Sequence, residues 1–138
     1  MKLVLDNNIF FSLMNPDSVA SYISSTIDIE FFAPEYIKQE LEEHKEECLF
    51  KSKLSEHEFE IRQTEVESRI KFFKESGYDG ELIKAITNLS DPKDSPYLAL
   101  ALSIDASIWS NDTHLINQSL VNTYKTEDLF NMMLNKEI

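Results

Sequence analysis

Four carboxylates in this sequence stand where apolar runs give way to polar turns or where a helix begins. Asp6 directly follows Leu3-Val4-Leu5, and Asp112 closes the run Ile108-Trp109-Ser110-Asn111. Asp94 precedes the leucine- and alanine-rich stretch 97–102, which leads into the apolar pair 108–109. Glu40 lies about two helical turns beyond Pro34. Only Lys38 and Lys93 are basic in the segments that carry these acids. Carboxylates that converge without cations repel one another and lose hydration, and a divalent ion at their centre reverses that balance. All-oxygen donors with no cysteine or histidine favour Mg2+ or Mn2+ over Zn2+. A Mg2+ ion held by few carboxylates keeps most of its waters, which suits metal-assisted hydrolysis of a phosphodiester.

Each acid also has a plainer reading. Asp6-Asn7-Asn8 fits a turn or a cap for a helix from Ile9, although the two asparagines could also hydrogen-bond around Asp6 at a strand end. Asp94 and Asp112 each fit a helix cap, and Asp91 fits a cap or turn before Pro92. Glu40 belongs to a run with Glu42, Glu43, Glu46 and Glu47 that also describes a solvated face, with Glu43 the alternative ligand one turn along. Asp105 falls in the loop before 108–109, away from the acidic edge. His44, His57 and His114 share no ligand spacing, and His114, two residues beyond Asp112, is assigned to the surface. Trp109 is assigned to the core.

The elements that must position the acids follow from periodicity and punctuation. Leu3-Val4-Leu5 is apolar on both faces, as a central parallel strand covered by helices would be. A short helix over 9–14 ends at Asn15-Pro16-Asp17. A second, capped by Asp17 or Ser18, runs to about Ser25 with Val19, Tyr22 and Ile23 on one face. Residues 27–33 form the second strand, and Pro34 suits the first turn of a long charged helix over 35–53. Ser55 with Glu58 makes a capping box for a helix reaching about Phe73, of which 70–73 could instead be a strand. A turn at 77–80, a helix to about Leu89, the loop 90–96 and a buried helix at 97–102 follow. The strand at 108–109, a helix over 113–119, a strand over 121–124 and a helix from Thr126 close the chain. This alternation argues for a three-layer α/β/α sandwich on a mainly parallel sheet, with residues 1–138 as one domain. Ligands of such sheets bind at the C-terminal ends of the strands.

At 138 residues, 42% hydrophobic and 28% charged, the chain suits one soluble globular domain. It has no apolar run long enough for a membrane span, and Met1 leads straight into the first strand without a signal peptide. Cys48 cannot form an internal disulfide and is taken as a passive helix residue in a reducing, cytoplasmic setting. The formal charge of −12 argues against a broad nucleic-acid-binding surface but not against local engagement through a metal. Lys51, Lys53, Arg62, Arg69, Lys71 and Lys74 gather on the helical hairpin, where they would guide RNA or simply solvate the helices.

Taken together, Leu-Asp6-Asn-Asn-Ile, Pro-Glu-Tyr-Ile-Lys-Gln-Glu40-Leu, Asp91-Pro-Lys-Asp94-Ser-Pro-Tyr-Leu-Ala-Leu-Ala and Ile-Trp-Ser110-Asn-Asp112 resemble the PIN-domain family over nearly the whole chain. The resemblance implies a PIN fold and a Mg2+- or Mn2+-dependent endoribonuclease acting on RNA, as in toxins of VapC-type toxin–antitoxin pairs. It implies Asp6, Glu40, Asp94 and Asp112 as catalytic metal ligands, with Asn8 and Ser110 supporting them. A cognate antitoxin and a homodimer are family-level expectations. The chain departs from the family at Asn7, where threonine or serine often follows the first aspartate. Two other functions compete: a non-catalytic PIN-like module for protein contacts, and an aspartate-based phosphotransfer domain.

Overall fold

The structure, a computed structural model, describes residues 1–138. In chain order it contains β1 (Lys2–Leu5), α1 (Asn7–Leu13), α2 (Val19–Thr26), β2 (Glu30–Pro34), α3 (Tyr36–Glu43), α4 (Lys45–Ser52) and α5 (Glu56–Ser68). Then come β3 (Ile70–Phe73), α6 (Leu82–Thr87), α7 (Ser95–Ile104), β4 (Ser107–Trp109), α8 (Thr113–Ile116), β5 (Thr123–Tyr124) and α9 (Thr126–Leu134). Single 3-10 turns occupy Glu75–Gly77, Asp79–Glu81 and Pro92–Asp94.

The sheet has the order β3-β2-β1-β4-β5, and every pairing in it is parallel. Leu3, Val4 and Leu5 are all fully buried. Successive strand residues point to opposite faces, so both faces of β1 are covered and the three-layer arrangement holds. α7 supplies cover on one face, packing against β1, β2 and β4. Its Leu98, Ala99, Leu100 and Ala101 are fully buried, as expected of a helix apolar all round. The chain runs from β1 outward to β3, then returns to place β4 on the other side of β1. That reversal sets the C-terminal ends of β1 and β4 side by side, the place where open α/β sheets bind ligands. No helix is long and apolar enough to cross a membrane.

Several local expectations are corrected. Pro34 closes β2 instead of opening the next helix. Pairing of β2 with β1 stops at Phe32, so the missing N–H of Pro34 interrupts no bond on that side. The helix expected over 35–53 is two helices, bent at His44 (φ −112°, ψ 18°). The bend lets both α3 and α4 touch α1, and the His44 ring packs 5.7 Å from that of Phe11. Residues 70–73 are strand β3, and the capping box of Ser55 and Glu58 is present. On α2, Val19 and Tyr22 are exposed, whereas Ala20, Ser21, Ile23 and Ser24 are buried.

Ile23 is buried as expected, and Arg62 explains the burial of Ser21 beside that face. From α5 it donates through Nε to the Leu13 carbonyl (2.9 Å) and through Nη2 to Ser21 Oγ (3.1 Å). Ser21 in turn donates to the Asn15 carbonyl at 2.7 Å. A polar seam thus replaces an apolar one, because each buried hydroxyl has a partner. Arg62→Met removes both bonds, although Ser21 keeps its bond to the Asn15 carbonyl, and should lower folding stability by about 1–3 kcal/mol. Lys51→Met, which removes only the exposed 2.8 Å pair with Glu47, should leave the denaturation midpoint unchanged. Chemical denaturation of the two variants checks the contrast.

Candidate metal centre

Strand register brings the first two acids together. Leu5 pairs with Trp109, and the Asp6 N–H donates to the Trp109 carbonyl at 3.3 Å. One residue further on, the Ser110 hydroxyl donates to Asp6 Oδ2 and accepts from the Asp112 N–H at 2.9 Å. Asp6 Oδ1 accepts from the Ile9 N–H at 2.9 Å, so Asp6 caps α1 and faces Ser110 at the same time. The cap and the site were alternatives in the sequence; the two oxygens of Asp6 divide them. Asp6 is 1% exposed. Asp112 is half-buried and engages only Oδ1, which caps α8 by accepting from the His114 N–H at 2.9 Å.

Asp94 occupies the residue before α7 but makes no side-chain cap bond. Its Oδ2 is buried without any hydrogen-bond partner. Capping therefore does not account for Asp94, whereas it does account for Asp91, whose Oδ1 accepts from the Lys93 N–H at 3.0 Å. Glu40 Oε1 accepts from the Tyr97 hydroxyl at 2.6 Å, and Oε2 accepts from Asn7 Nδ2 at 3.1 Å. Glu43, one turn along, is exposed, whereas Glu40 is half-buried and held through both oxygens. Asn8 does not join the cluster: it is exposed, and only its backbone carbonyl is bonded, accepting from Ser12. Asn7, at the position where the chain departs from the family pattern, makes the contact expected of Asn8.

The four acids share one electrostatic field. Burial is the main cause that pushes Asp6 up to about 6; the Ser110 and Ile9 hydrogen bonds oppose it, and Asp112 and Glu40 add to it. Asp94 is pushed up to about 7, first by burial, then by Asp112, Asp91 and Asp6, with His114 acting the other way. The protein's three ion pairs, Lys38–Glu67, Lys51–Glu47 and Arg62–Glu65, involve none of the four. Burial and the nearby carboxylate of Glu40 hold Tyr97 far above its ordinary value, so it stays a neutral donor. His114 Nδ1 hydrogen-bonds Ser90 Oγ, tying the 90–94 loop to α8 from an exposed position.

No three acidic side chains stand within joint reach of one ion as they are oriented. Asp6 and Glu40 have committed their oxygens to Ser110, Ile9, Tyr97 and Asn7. What is uncommitted is Asp94 Oδ2, buried and unpartnered, and one oxygen of Asp112. That donor set fits a largely hydrated Mg2+ or Mn2+, which needs only one or two carboxylates, and not a dedicated cage of the kind Zn2+ or Ca2+ prefers.

The sequence profile of the PIN-domain family matches residues 4–133. The chain belongs to the PIN-domain family. In fold this PIN domain is similar to a chain of VapBC2 from Rickettsia felis, crystallised with a DNA fragment from the promoter: TM-score 0.65, 16% identity, covering 91% of this chain and 98% of that one. It is also similar to PAE2754 from Pyrobaculum aerophilum, with TM-score 0.66 and 14% identity over 97% of this chain and 90% of that one. A search of curated proteins gave no match.

Sequence reasoning missed two residues of this PIN domain, Asn7 and Tyr97, which hold Glu40 in place. Tyr97 left a usable signal: it is the one hydroxyl in the leucine–alanine stretch 97–102, and a buried tyrosine hydroxyl needs a partner. The raised values of Asp6 and Asp94 mean that their ionised forms cost folding free energy. Stability from these groups is fully present below about pH 4 and is lost as pH rises through 6 to 7. Metal-free protein should therefore lose thermal stability from about pH 4 to about pH 7 and level off above that, over the range set by those two groups. Asp94→Asn should flatten that profile and raise stability at pH 7.5 by roughly 1–2 kcal/mol, seen as a higher Tm in metal-free buffer. A profile as steep in Asp94→Asn as in the unaltered protein would contradict this account of Asp94.

Proposed function

We propose that this protein is a Mg2+- or Mn2+-dependent endoribonuclease of the PIN family, acting as the toxin of a toxin–antitoxin pair. The observation that carries the reading is the buried, unpartnered oxygen of Asp94, which feels the charges of Asp112, Asp91 and Asp6 and is in no ion pair. Asp94 and Asp112 would contact the ion through their uncommitted oxygens, and Asp6 and Glu40 would hold it through its waters. Bound there, a divalent ion supplies a more acidic attacking water and neutralises charge on the scissile phosphate.

The chain's own side chains do the positioning. Ser110 fixes the Asp6 carboxylate and, through the Asp112 N–H, the start of the next acidic turn. Tyr97 and Asn7 clamp the two oxygens of Glu40. These donors are neutral, so they orient the carboxylates without cancelling their charge. Burial of Asp6 and Asp94 keeps competing water from their inner sides. An antitoxin is supported by the likeness in fold to a chain of VapBC2, and the −12 charge suits a partner that presents a basic segment to the acidic crevice.

The non-catalytic reading draws on the same −12 charge, together with the lack of three acids in joint reach of an ion. An aspartate-based phosphotransfer role has no such support, because Asp6 is 1% exposed and hydrogen-bonded through both oxygens, which leaves no free nucleophilic oxygen.

Purified protein incubated with mixed RNA should cut it in Mn2+ or Mg2+ and not in EDTA. Asp94→Asn should abolish cutting, and Tyr97→Phe, which removes one donor to Glu40, should slow it by about 10–100-fold. Calorimetric titration separates the two readings: neither Mn2+ binding nor cleavage of any RNA would favour the protein-contact module. Metal-dependent cutting that survives in both Asp6→Asn and Asp94→Asn would remove the assignment of these acids.

A further inference from the structure

Beside the acidic crevice lies a second concavity. A cleft of about 490 Å3 opens between α1 and α4, lined among others by Asn7, Asn8, Phe11, Ser12 and His44. Asn7 is shared between the cleft and the acidic centre, since its Nδ2 donates to Glu40 Oε2 at 3.1 Å. We propose that this cleft is a base-binding subsite that takes one unpaired nucleobase of RNA next to the phosphodiester at the acids. The proposal rests on the nuclease reading and adds to it the group that selects where the strand is cut.

Three features favour a base over other occupants. The rings of Phe11 and His44 lie 5.7 Å apart at 51°, and give the cleft an aromatic wall on which a planar ring can stack. The Asn8 side chain is exposed and unengaged within the protein, and a carboxamide presents a donor and an acceptor side by side, as the edge of a base does. The single cation in the lining, Lys51, is paired with Glu47 at 2.8 Å, so the cleft offers no free positive charge to a phosphate. An apolar peptide segment is disfavoured as well, because only two of the eleven lining residues are hydrophobic. Neutral, planar and rich in hydrogen-bonding groups describes a nucleobase.

The geometry also accounts for a choice of residue. A serine or threonine after Asp6 would lack the reach of the Asn7 carboxamide, which spans from the cleft to Glu40. Base occupancy and the orientation of Glu40 therefore meet at one side chain.

Two measurements on the full chain test the subsite. In the first, adenosine, guanosine, cytidine and uridine are titrated into isotope-labelled protein, with the backbone amides of Asn8, Phe11 and Ser12 as reporters. In the second, the sites cut in a degenerate RNA are sequenced for the unaltered protein, Asn8→Ala and Phe11→Leu, a swap that keeps apolar bulk but removes the stacking face. The proposal expects nucleosides to shift the cleft amides, with one base dominating beside the cut. It expects that preference to fall about tenfold in both variants while Mn2+ affinity holds. An unchanged base preference in both variants, or nucleoside shifts confined to other parts of the protein, would overturn it. Shifts produced by a basic peptide and by no nucleoside would assign the cleft to a protein partner and overturn it equally. If the unaltered protein cuts no RNA, the nuclease reading fails on its own, and the nucleoside titration still decides whether the cleft takes a base.

Discussion

Carboxylates buried at the ends of parallel strands carry an electrostatic cost, and much of this molecule is arranged around tolerating it. Asp6 and Asp94 lie almost out of solvent, close enough to Asp112 and to each other for mutual repulsion to raise their proton affinity. A protein that only needed to fold would neutralise such a group with lysine or arginine, or replace it by an apolar residue. Here Asp6 meets a serine hydroxyl and a backbone N–H, Glu40 a tyrosine hydroxyl and an asparagine amide, and the buried oxygen of Asp94 nothing. Neutral donors fix orientation while preserving the negative field, which a structural ion pair would cancel. The destabilised arrangement is kept where chemistry can use it.

The sheet order makes the convergence possible. Because the chain returns to lay β4 against β1, two strands separated by about a hundred residues present their ends at one edge. The register Leu5 with Trp109 then places Asp6 opposite Ser110 without any freedom of the loops. α7 starts at the same edge and runs beneath β1, β2 and β4, so Asp94 at its head and Tyr97 one turn later both reach the crevice. One rigid helix carries an acid and the clamp for another acid.

The strands and the acids were legible because their signals are local. Three consecutive apolar residues ending in an aspartate announce a buried strand and its exit, and a looser form recurs at 108–112, where two apolar residues precede Ser110, Asn111 and Asp112. What stayed hidden depends on contacts between distant segments. The split of the long helix at His44 has no glycine or proline to mark it; it comes from packing of both halves on α1. The inward serine face of α2 reads as solvent-facing until Arg62 arrives from α5, forty-one positions away from Ser21. Asn7 and Asn8 are chemically identical in sequence, and only the direction each side chain takes from the first turn of α1 separates a clamp on Glu40 from a group facing the cleft.

The distribution of positive charge bears on how so acidic a chain would meet a polyanion. Of the hairpin cations that looked like a guide for RNA, Lys51 is paired with Glu47 and Arg62 is held by Leu13 and Ser21, whereas Lys53, Arg69 and Lys74 form no ion pair. Lys71 lies over the Phe73 ring at 5.6 Å. Six hairpin cations stand against a net charge of −12, so long-range attraction of RNA by this surface is weak. Recognition on the proposed route must then come at short range, from stacking, from carboxamide contacts in the α1–α4 cleft and from charge neutralisation at the acidic crevice. A site built this way gives up encounter rate and relies on discrimination once contact is made. That balance suits an enzyme that has to spare most of the RNA around it more than one that must degrade whatever it meets.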